Sequence, residues 1–139
     1  MTYLLDTDTC IYLLNRKPGY QSILSHIDGL VYGDVLISAI TLAELRFGVA
    51  KSTRGALNMA NLETFLARFE LADFDSEAAA VYGPIRAELE AKGTPIGPLD
   101  TLIAAQAITR RALLVTSNVR EFSRVRGLRL ENWMAARRS

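Results

Sequence analysis

Short apolar segments alternate with helical patterns along the chain, and this alternation restricts the folds that it can adopt. The apolar segments are residues 2–6, 35–39, 69–74, 112–117 and 128–132. They are short and, for the most part, apolar at every position, which is typical of strands that are buried on both faces of a parallel sheet. The pattern predicts an α/β protein, a three-layer α/β/α sandwich with a central, mainly parallel sheet.

Helical patterns occupy the stretches between these predicted strands. They cover residues 9–15, 20–30, 41–52, 56–68, 76–91 and 98–110. Within them apolar residues recur at helical spacing, as Leu42, Leu45 and Val49 do. Pro98 suits the first position of the last of these helices, because proline needs no amide hydrogen-bond partner there.

Length and composition are those of one small domain. The chain has 139 residues, half of them hydrophobic, and no linker or repeat divides it, so residues 1–139 are predicted to form a single domain. Cys10 is the only cysteine, so it cannot form an internal disulfide and cannot make a thiolate zinc site alone. Asp6 interrupts the N-terminal apolar run, and no apolar stretch reaches the ~20 residues of a membrane helix. A cytoplasmic protein is expected.

The net charge of +1 conceals an uneven distribution of charge. Residues 110–139 contain eight arginines and two glutamates, which gives +6, so the first 109 residues sum to −5. This basic segment indicates a polyanion or an acidic protein as partner, or else an ordinary solvated surface. The arginines are Arg110, Arg111, Arg120, Arg124, Arg126, Arg129, Arg137 and Arg138.

Acidic residues stand where a parallel sheet would bring them together. Asp6 follows the first strand, Glu44 lies in the first predicted turn after the second, and Asp100 lies in the first turn of the helix before the fourth. Asn118 and Glu121 follow the fourth strand. Ligands of open parallel sheets bind at the carboxyl ends of the strands. Two carboxylates ~4 Å apart repel by ~4 kcal/mol, so a cluster needs a cation, and oxygen ligands favour Mg²⁺ or Mn²⁺.

The same acids also have purely structural interpretations. Asp6 and Asp8 are plausible helix N-caps, and Thr41 with Glu44 matches the T-x-x-E capping box. The negative charge of Asp100, in the first turn of its helix, would interact favourably with the helix dipole. Asp8 is assigned only the structural role, whereas the other acids taken together favour a metal site.

Four blocks of sequence occur in a distinctive order from residue 3 to about residue 131. They are LLDTDTCIYLL (4–14), ISAITLAELRFGVAKS (37–52), IGPLDTLIAAQAI (96–108) and LLVTSNVREFSRV (113–125). Together they resemble the PIN-domain ribonucleases, and most closely the VapC toxins of VapBC type II toxin–antitoxin modules. The resemblance implies a single PIN domain over residues 1–139, with a parallel sheet between helices.

The resemblance also implies the reaction and the acids that carry it. The family's first three acids match Asp6, Glu44 and Asp100. Mg²⁺, with Mn²⁺ as an alternative, would be held by Asp6 and Asp100 and would activate water for hydrolysis of an RNA phosphodiester. Glu44 and Glu121 would complete the acidic shell, directly or through waters, and help to take a proton from the attacking water.

The fourth acidic position departs from the pattern of many PIN domains. Those domains carry an aspartate in a T-x-D element, and here the element reads TSN and ends in Asn118. The role of the fourth acidic residue is therefore assigned to Glu121 of the N-x-x-[DE]-F pattern, and Asn118 is the alternative. Thr116 matches the family's Ser/Thr on that strand and would orient a ligand or water.

Substrate and partners follow from the resemblance as well. Arg120, Arg124 and Arg126 would attract an RNA backbone to the acidic pocket. The implied substrate is a structured RNA, with the anticodon region of the initiator tRNA favoured, and its cleavage would inhibit translation. The implied partners are a VapB-type antitoxin, through which the complex binds operator DNA, and a second copy in a homodimer. Segments 20–30 and 56–69 are the predicted partner groove or dimer face.

Two other functions remain as alternatives. A phosphatase of the haloacid dehalogenase type would use Asp6 as nucleophile and Asp8 as acid/base, but Cys10 replaces the expected Thr or Val and the later G-D-x-x-x-D element is missing. A metal-free binding module with a PIN-like fold is the other, although the main acids are present. The nuclease interpretation requires Asp100 and not Asp8.

Three further side chains receive only general expectations. Trp133 and Met134 are predicted to contact a partner or to form a satellite core. His26 has no evident partner in the sequence and is expected to be structural or to face solvent.

Overall fold

The computed structural model describes residues 1–134, which form five strands and seven helices. In chain order these are β1 (Tyr3–Leu5), α1 (Thr7–Leu14), α2 (Tyr20–Ile27), β2 (Val35–Ser38), α3 (Ala39–Ala50), α4 (Gly55–Leu66), β3 (Glu70–Ala72), α5 (Ser76–Ala91), α6 (Pro98–Thr109), β4 (Leu113–Val115), α7 (Val119–Phe122) and β5 (Leu130–Glu131). Within this range no helix has the length and hydropathy needed to cross a membrane.

The strands form one parallel sheet in the order β3-β2-β1-β4-β5. From β1 the chain extends the sheet first through β2 and β3, and later on the opposite side through β4 and β5. The order therefore reverses between β1 and β4, where Leu5 is in register with Val115. Such a reversal opens a crevice at the carboxyl ends of the two strands.

Helices cover both faces of the sheet, as the apolar strands predict. Side chains on a strand alternate between the faces. Leu5, Ile37 and Val115 join one core cluster, while Leu4, Leu36 and Leu114 join the other. The first cluster includes residues of α1, α2, α3 and α4, and the second includes residues of α5, α6 and α7. The three-layer α/β/α sandwich is confirmed.

The predicted helices and strands all occur, with differences at their ends. The predicted strands are longer than the observed ones, and α7 was not predicted because four residues are too few for a visible period. Helix α3 begins at Ala39, with Ser38 as the N-cap that accepts a hydrogen bond from Ile40 N at 2.9 Å. The capping box of Thr41 and Glu44 is therefore wrong, and Glu44 lies in the second turn of the helix. Pro98 occupies the first turn of α6, as predicted.

The described C-terminal end packs onto the first core cluster. Trp133 is 2% exposed and stacks on His26, with ring centroids 5.2 Å apart and planes 2° from parallel. The indole Nε1 donates to Glu131 Oε1 at 2.8 Å, and His26 Nδ1 lies 4.0 Å from the same oxygen. The structural alternative for His26 agrees with these contacts. Trp133 belongs to the first core cluster and Met134 packs against it, so they extend the main core and do not form a separate satellite core.

Candidate active site

Asp6 lies at the carboxyl end of β1, on the crevice between β1 and β4. It is the N-cap of α1, and its Oδ1 accepts a hydrogen bond from Thr9 N at 2.8 Å. The side chain is 3% exposed. Burial raises the pKa of Asp6, and hydrogen bonds from Thr116 and Thr9 oppose that rise. The predicted cap is confirmed, and it holds the carboxylate rigidly at the edge of the sheet.

Thr116 connects the two sides of this crevice. It follows β4, is fully buried, hydrogen-bonds Asp6 through its side chain, and accepts a hydrogen bond from Asn118 N at 2.9 Å. A hydroxyl has one proton to donate, so the bond to Asn118 N uses an oxygen lone pair and leaves that proton for Asp6. The residue predicted to orient a ligand therefore orients the first acid.

The pKa of Asp100 is affected by burial and by the other acids of the site. It lies in the first turn of α6. Burial, followed by the negative charges of Glu121, Asp6, Glu44 and Asp8, raises the pKa of Asp100 to about 7. A charge acts on a pKa only over short range in a protein, so the four predicted acids, which come from distant parts of the chain, converge on one place.

Glu121 is attached to the start of α6. Its Oε1 accepts a hydrogen bond from Gly97 N at 3.0 Å, and its Oε2 accepts one from Asn118 Nδ2. A Cβ on Gly97 would lie 3.4 Å from Asp100 Oδ2 and 3.9 Å from Glu121 Oε1, so the glycine leaves room between these two carboxylates. Asn118 uses its amide to hold Glu121, which supports Glu121 rather than Asn118 as the fourth acid.

Glu44 reaches the site from α3. Its Oε1 accepts a hydrogen bond of 2.7 Å from the hydroxyl of Thr7, the first residue of α1. The Thr7 oxygen also lies 3.1 Å from Thr41 Oγ1. Thr7 is not predicted from the sequence, because an isolated hydroxyl beside Asp6 is an ordinary helix-start residue. Only the packing of α1 on α3 reveals its contact.

The donor set suits a hard divalent cation. Among residues 1–134 none of Asp6, Glu44, Asp100 and Glu121 pairs with a lysine or arginine. The same residues include no group of three or more His, Cys, Asp or Glu placed to hold a metal ion by themselves. Mg²⁺ is commonly held by one or two carboxylates and several waters, so an open, uncompensated carboxylate cluster fits such an ion.

Asp8 differs from the other acids. It is exposed on the first turn of α1, and its charge is the smallest of the influences on Asp100. A phosphatase of the haloacid dehalogenase type would need Asp8 beside Asp6 at the reacting centre. The exposed position of Asp8 does not favour that alternative.

The three arginines predicted to bind RNA have different surroundings. Arg124 Nη1 donates to Pro95 O at 3.1 Å, in the loop that leads to Gly97 and the acids. Arg126 Nε lies 3.4 Å from Glu88 Oε1 on α5, so its charge is partly compensated there. Arg120 is exposed on α7, next to Glu121. The remaining arginines of the basic segment include Arg137 and Arg138, which lie outside the described residues.

Two clefts border α1, and the segments predicted as a partner groove line the larger one. The cleft of about 620 Å³ is lined by α1, α2 and α4, including Tyr20, Leu24 and Phe65. The cleft of about 230 Å³ lies between α1, α3 and α4 and reaches Glu44 and Gly48. An extended peptide that occupied both clefts would end beside the acids.

Comparison with known proteins points to one family. Residues 3–128 match the family model described as PIN domain. The chain is 44% identical over 134 residues to Ribonuclease VapC2 of Rickettsia felis, with 96% of this chain and 98% of the relative covered. It is 43% identical to the tRNA(fMet)-specific endonuclease VapC of Salmonella typhimurium, again with 96% and 98% covered.

Solved structures of related complexes have the same fold. The chain matches the structure of VapBC2 from Rickettsia felis bound to a promoter DNA fragment with a TM-score of 0.87 and 43% identity, over 96% of this chain and 99% of that one. It matches DNA-bound VapBC from Salmonella typhimurium with a TM-score of 0.89 and 43% identity, over 96% and 98%.

Proposed function

This chain belongs to the PIN domain family and, within it, to the VapC ribonucleases, and we propose that it is a Mg²⁺-dependent endoribonuclease. The enzyme would be the toxin of a toxin–antitoxin pair. It would consist of one PIN domain over residues 1–139. PIN-domain nucleases use divalent metal. The observation that carries the proposal is the set of carboxylates around Asp100, none of which pairs with a lysine or arginine among residues 1–134. Burial, followed by the charges of these carboxylates, raises the pKa of Asp100 to about 7.

Each acid has a role that follows from its surroundings. When bound, Mg²⁺ would polarise the phosphodiester as a Lewis acid and would lower the pKa of a coordinated water. Asp6, held by Thr9 N and Thr116, and Asp100 would be its protein ligands. Glu44 and Glu121 complete the acidic shell and accept a proton from the attacking water. In-line hydrolysis leaves a 5′-phosphate and a 3′-hydroxyl.

We propose a structured RNA as substrate, with the anticodon region of the initiator tRNA first. The name of the Salmonella relative, a tRNA(fMet)-specific endonuclease, supports this choice. Arg120 and Arg124, exposed beside Glu121 and the loop before Gly97, would bind the phosphate backbone at the rim of the site. Arg126 would contribute less because it is paired with Glu88.

The proposed partners are a VapB-type antitoxin and a second copy of the chain. The two solved relatives described above are VapBC complexes with DNA, which supports an antitoxin that binds operator DNA and neutralises the toxin. The two clefts beside α1 are the proposed antitoxin groove, since the smaller one reaches Glu44. A basic antitoxin side chain at that end would compensate the acids.

Mapping of RNA ends after brief induction tests the proposed function. Wild-type cells are expected to gain new 5′-phosphate ends at one RNA site, with the initiator tRNA anticodon loop the first candidate. Asp6→Asn should remove these ends, since it removes the charge of a proposed metal ligand. Asp8→Asn is the matched control and should keep them. Equal cleavage by wild type and Asp6→Asn, or no new ends in wild type, would contradict the proposal.

Glu121→Gln is predicted to reduce RNA cleavage by about 10- to 100-fold, because the amide keeps the bond from Gly97 N but removes the negative charge. Asn118→Ala should reduce it less, since Asn118 acts by holding Glu121. Single-turnover rates at saturating Mg²⁺ measure both effects. Normal cleavage by Glu121→Gln together with loss in Asn118→Ala would move the fourth acidic role to Asn118.

A further inference from the structure

The hydroxyl of Thr7 links the first helical turn of the chain to the acid on α3. Thr7 Oγ1 lies 2.7 Å from Glu44 Oε1 and 3.1 Å from Thr41 Oγ1. Thr7 is 9% exposed and Thr41 is fully buried, so water competes little for these contacts. From this geometry, and on the basis of the proposed function, we propose that Thr7 is a positioning residue that holds Glu44 among the acids of the active site.

The direction of the two hydrogen bonds follows from the groups involved. An ionised glutamate only accepts, so Thr7 donates its single hydroxyl proton to Glu44 Oε1. The Thr7 oxygen then accepts from the hydroxyl of Thr41. The result is a relay from Thr41 to Thr7 to Glu44 that ends on a charge, and 2.7 Å is a length typical of a charge-assisted O–H···O⁻ bond. Oε1 is occupied, and Oε2 is the oxygen left for a water or a cation.

Glu44 needs such a restraint because the other acids repel it. Its charge contributes to the raised pKa of Asp100, so the two carboxylates are close enough to act on each other. A glutamate has three rotatable side-chain bonds, and α3 presents Glu44 at a half-buried position from which rotation toward solvent would relieve the repulsion. The bond from Thr7 opposes that rotation before any cation is bound.

Thr7 also fixes Glu44 relative to Asp6. Asp6 caps α1 with its Oδ1 on Thr9 N, and Thr7 is the next residue. One turn of α1 therefore holds two acids, the first through a backbone amide and the second through a side-chain hydroxyl.

Substitution of Thr7 by Val tests the role, because valine keeps the branched shape and loses only the hydroxyl. Thr7→Val is expected to lower the single-turnover rate of RNA cleavage by about 10- to 100-fold at saturating RNA, with KM little changed. It should also weaken Mg²⁺ binding about tenfold, measured by calorimetry without RNA. Thr7→Ser keeps a hydroxyl and should restore most of both.

Two comparisons separate positioning from a general loss of stability. Thr109→Val removes a hydroxyl that bonds Gln106 O at the opposite end of α6 from Asp100, and it should leave cleavage and Mg²⁺ binding unchanged. In a Glu44→Gln background, Thr7→Val should change the cleavage rate by less than about threefold, since the carboxylate that Thr7 positions is then absent. Thermal unfolding of each variant shows whether a lost rate follows a lost fold.

The outcomes distinguish this role from the proposed function. If the wild type is active, three results would overturn the positioning role alone. They are a wild-type cleavage rate in Thr7→Val, an equal loss of rate in Thr7→Val and Thr7→Ser, and an undiminished effect of Thr7→Val in the Glu44→Gln background. A wild type that neither binds Mg²⁺ nor cleaves RNA overturns the proposed function and the role of Thr7 with it. The expected pattern of rescue and non-additivity supports both.

Discussion

Asp100→Asn is expected to reduce RNA cleavage by about 10³-fold or more and to abolish growth inhibition, while the protein remains folded. Asparagine has nearly the same shape but no charge, so it removes a proposed metal ligand at the point where the other acids converge. Burial and four neighbouring carboxylates already disfavour the ionised form of Asp100, whose pKa is raised to about 7. Removal of this charge should therefore not weaken the fold in the absence of metal.

The control for this variant is Asp8→Asn, the same chemical change at an exposed acid on α1. It should cleave RNA at the wild-type rate. Thermal unfolding at pH 8 without metal should place the melting temperature of Asp100→Asn at or above that of the wild type. Undiminished toxicity of Asp100→Asn would remove Asp100 from the mechanism. An equal loss of RNA cleavage in Asp8→Asn would mean that Asp8 also takes part in the reaction.

Mg²⁺ binding is expected to weaken by about tenfold for each pH unit below 7, because a carboxylate must lose its proton before it binds the ion. The proton in question is that of Asp100, whose pKa is about 7 in the metal-free protein. Calorimetric titrations at pH 5, 6, 7 and 8, each in two buffers of different ionisation enthalpy, give both the affinity and the number of protons released.

At pH 6 close to one proton should leave per ion bound, and at pH 8 very few. In Asp100→Asn the steep pH dependence should disappear together with most of the binding. A Mg²⁺ affinity that is constant from pH 5 to pH 8 would mean that Asp100 is not a ligand of the metal ion.

The same raised pKa has a consequence for stability. In the unfolded chain an aspartate loses its proton near pH 4, whereas Asp100 in the folded, metal-free protein keeps it until about pH 7. Between these values the folded state binds more protons than the unfolded state. The contribution of Asp100 to the free energy of unfolding therefore falls as pH rises from about 4 to 7 and is constant above that range.

The cap of α3 and the neighbour of His26 were decided by contacts that the local sequence does not reveal. Ser38 and Thr41 are both plausible N-caps for α3, and the cap went to Ser38 because β2 ends there. Thr41 was freed to bond Thr7 instead. His26 has no partner near it in the sequence, and its aromatic neighbour, Trp133, comes from the other end of the chain.

The sequence by itself determined the α/β class and the positions of the helices and main strands, and it indicated the acids that we propose for the site. These properties depend on the periodicity of apolar residues and on residue chemistry, which are local. The four blocks of family-like sequence indicated the functional class for the same reason. They include the positions after the strands and in the first turn of a helix where the acids lie.

Only the tertiary structure decided how these acids act on one another. The order β3-β2-β1-β4-β5 places the crevice between β1 and β4, and strand order depends on packing that no local pattern records. The pKa of Asp100 depends on burial and on charges from residues far away in the chain, and the hydroxyl bond from Thr7 to Glu44 spans 37 positions. Electrostatic and hydrogen-bond energies depend on distances in space, and those distances exist only after the helices have packed on the sheet.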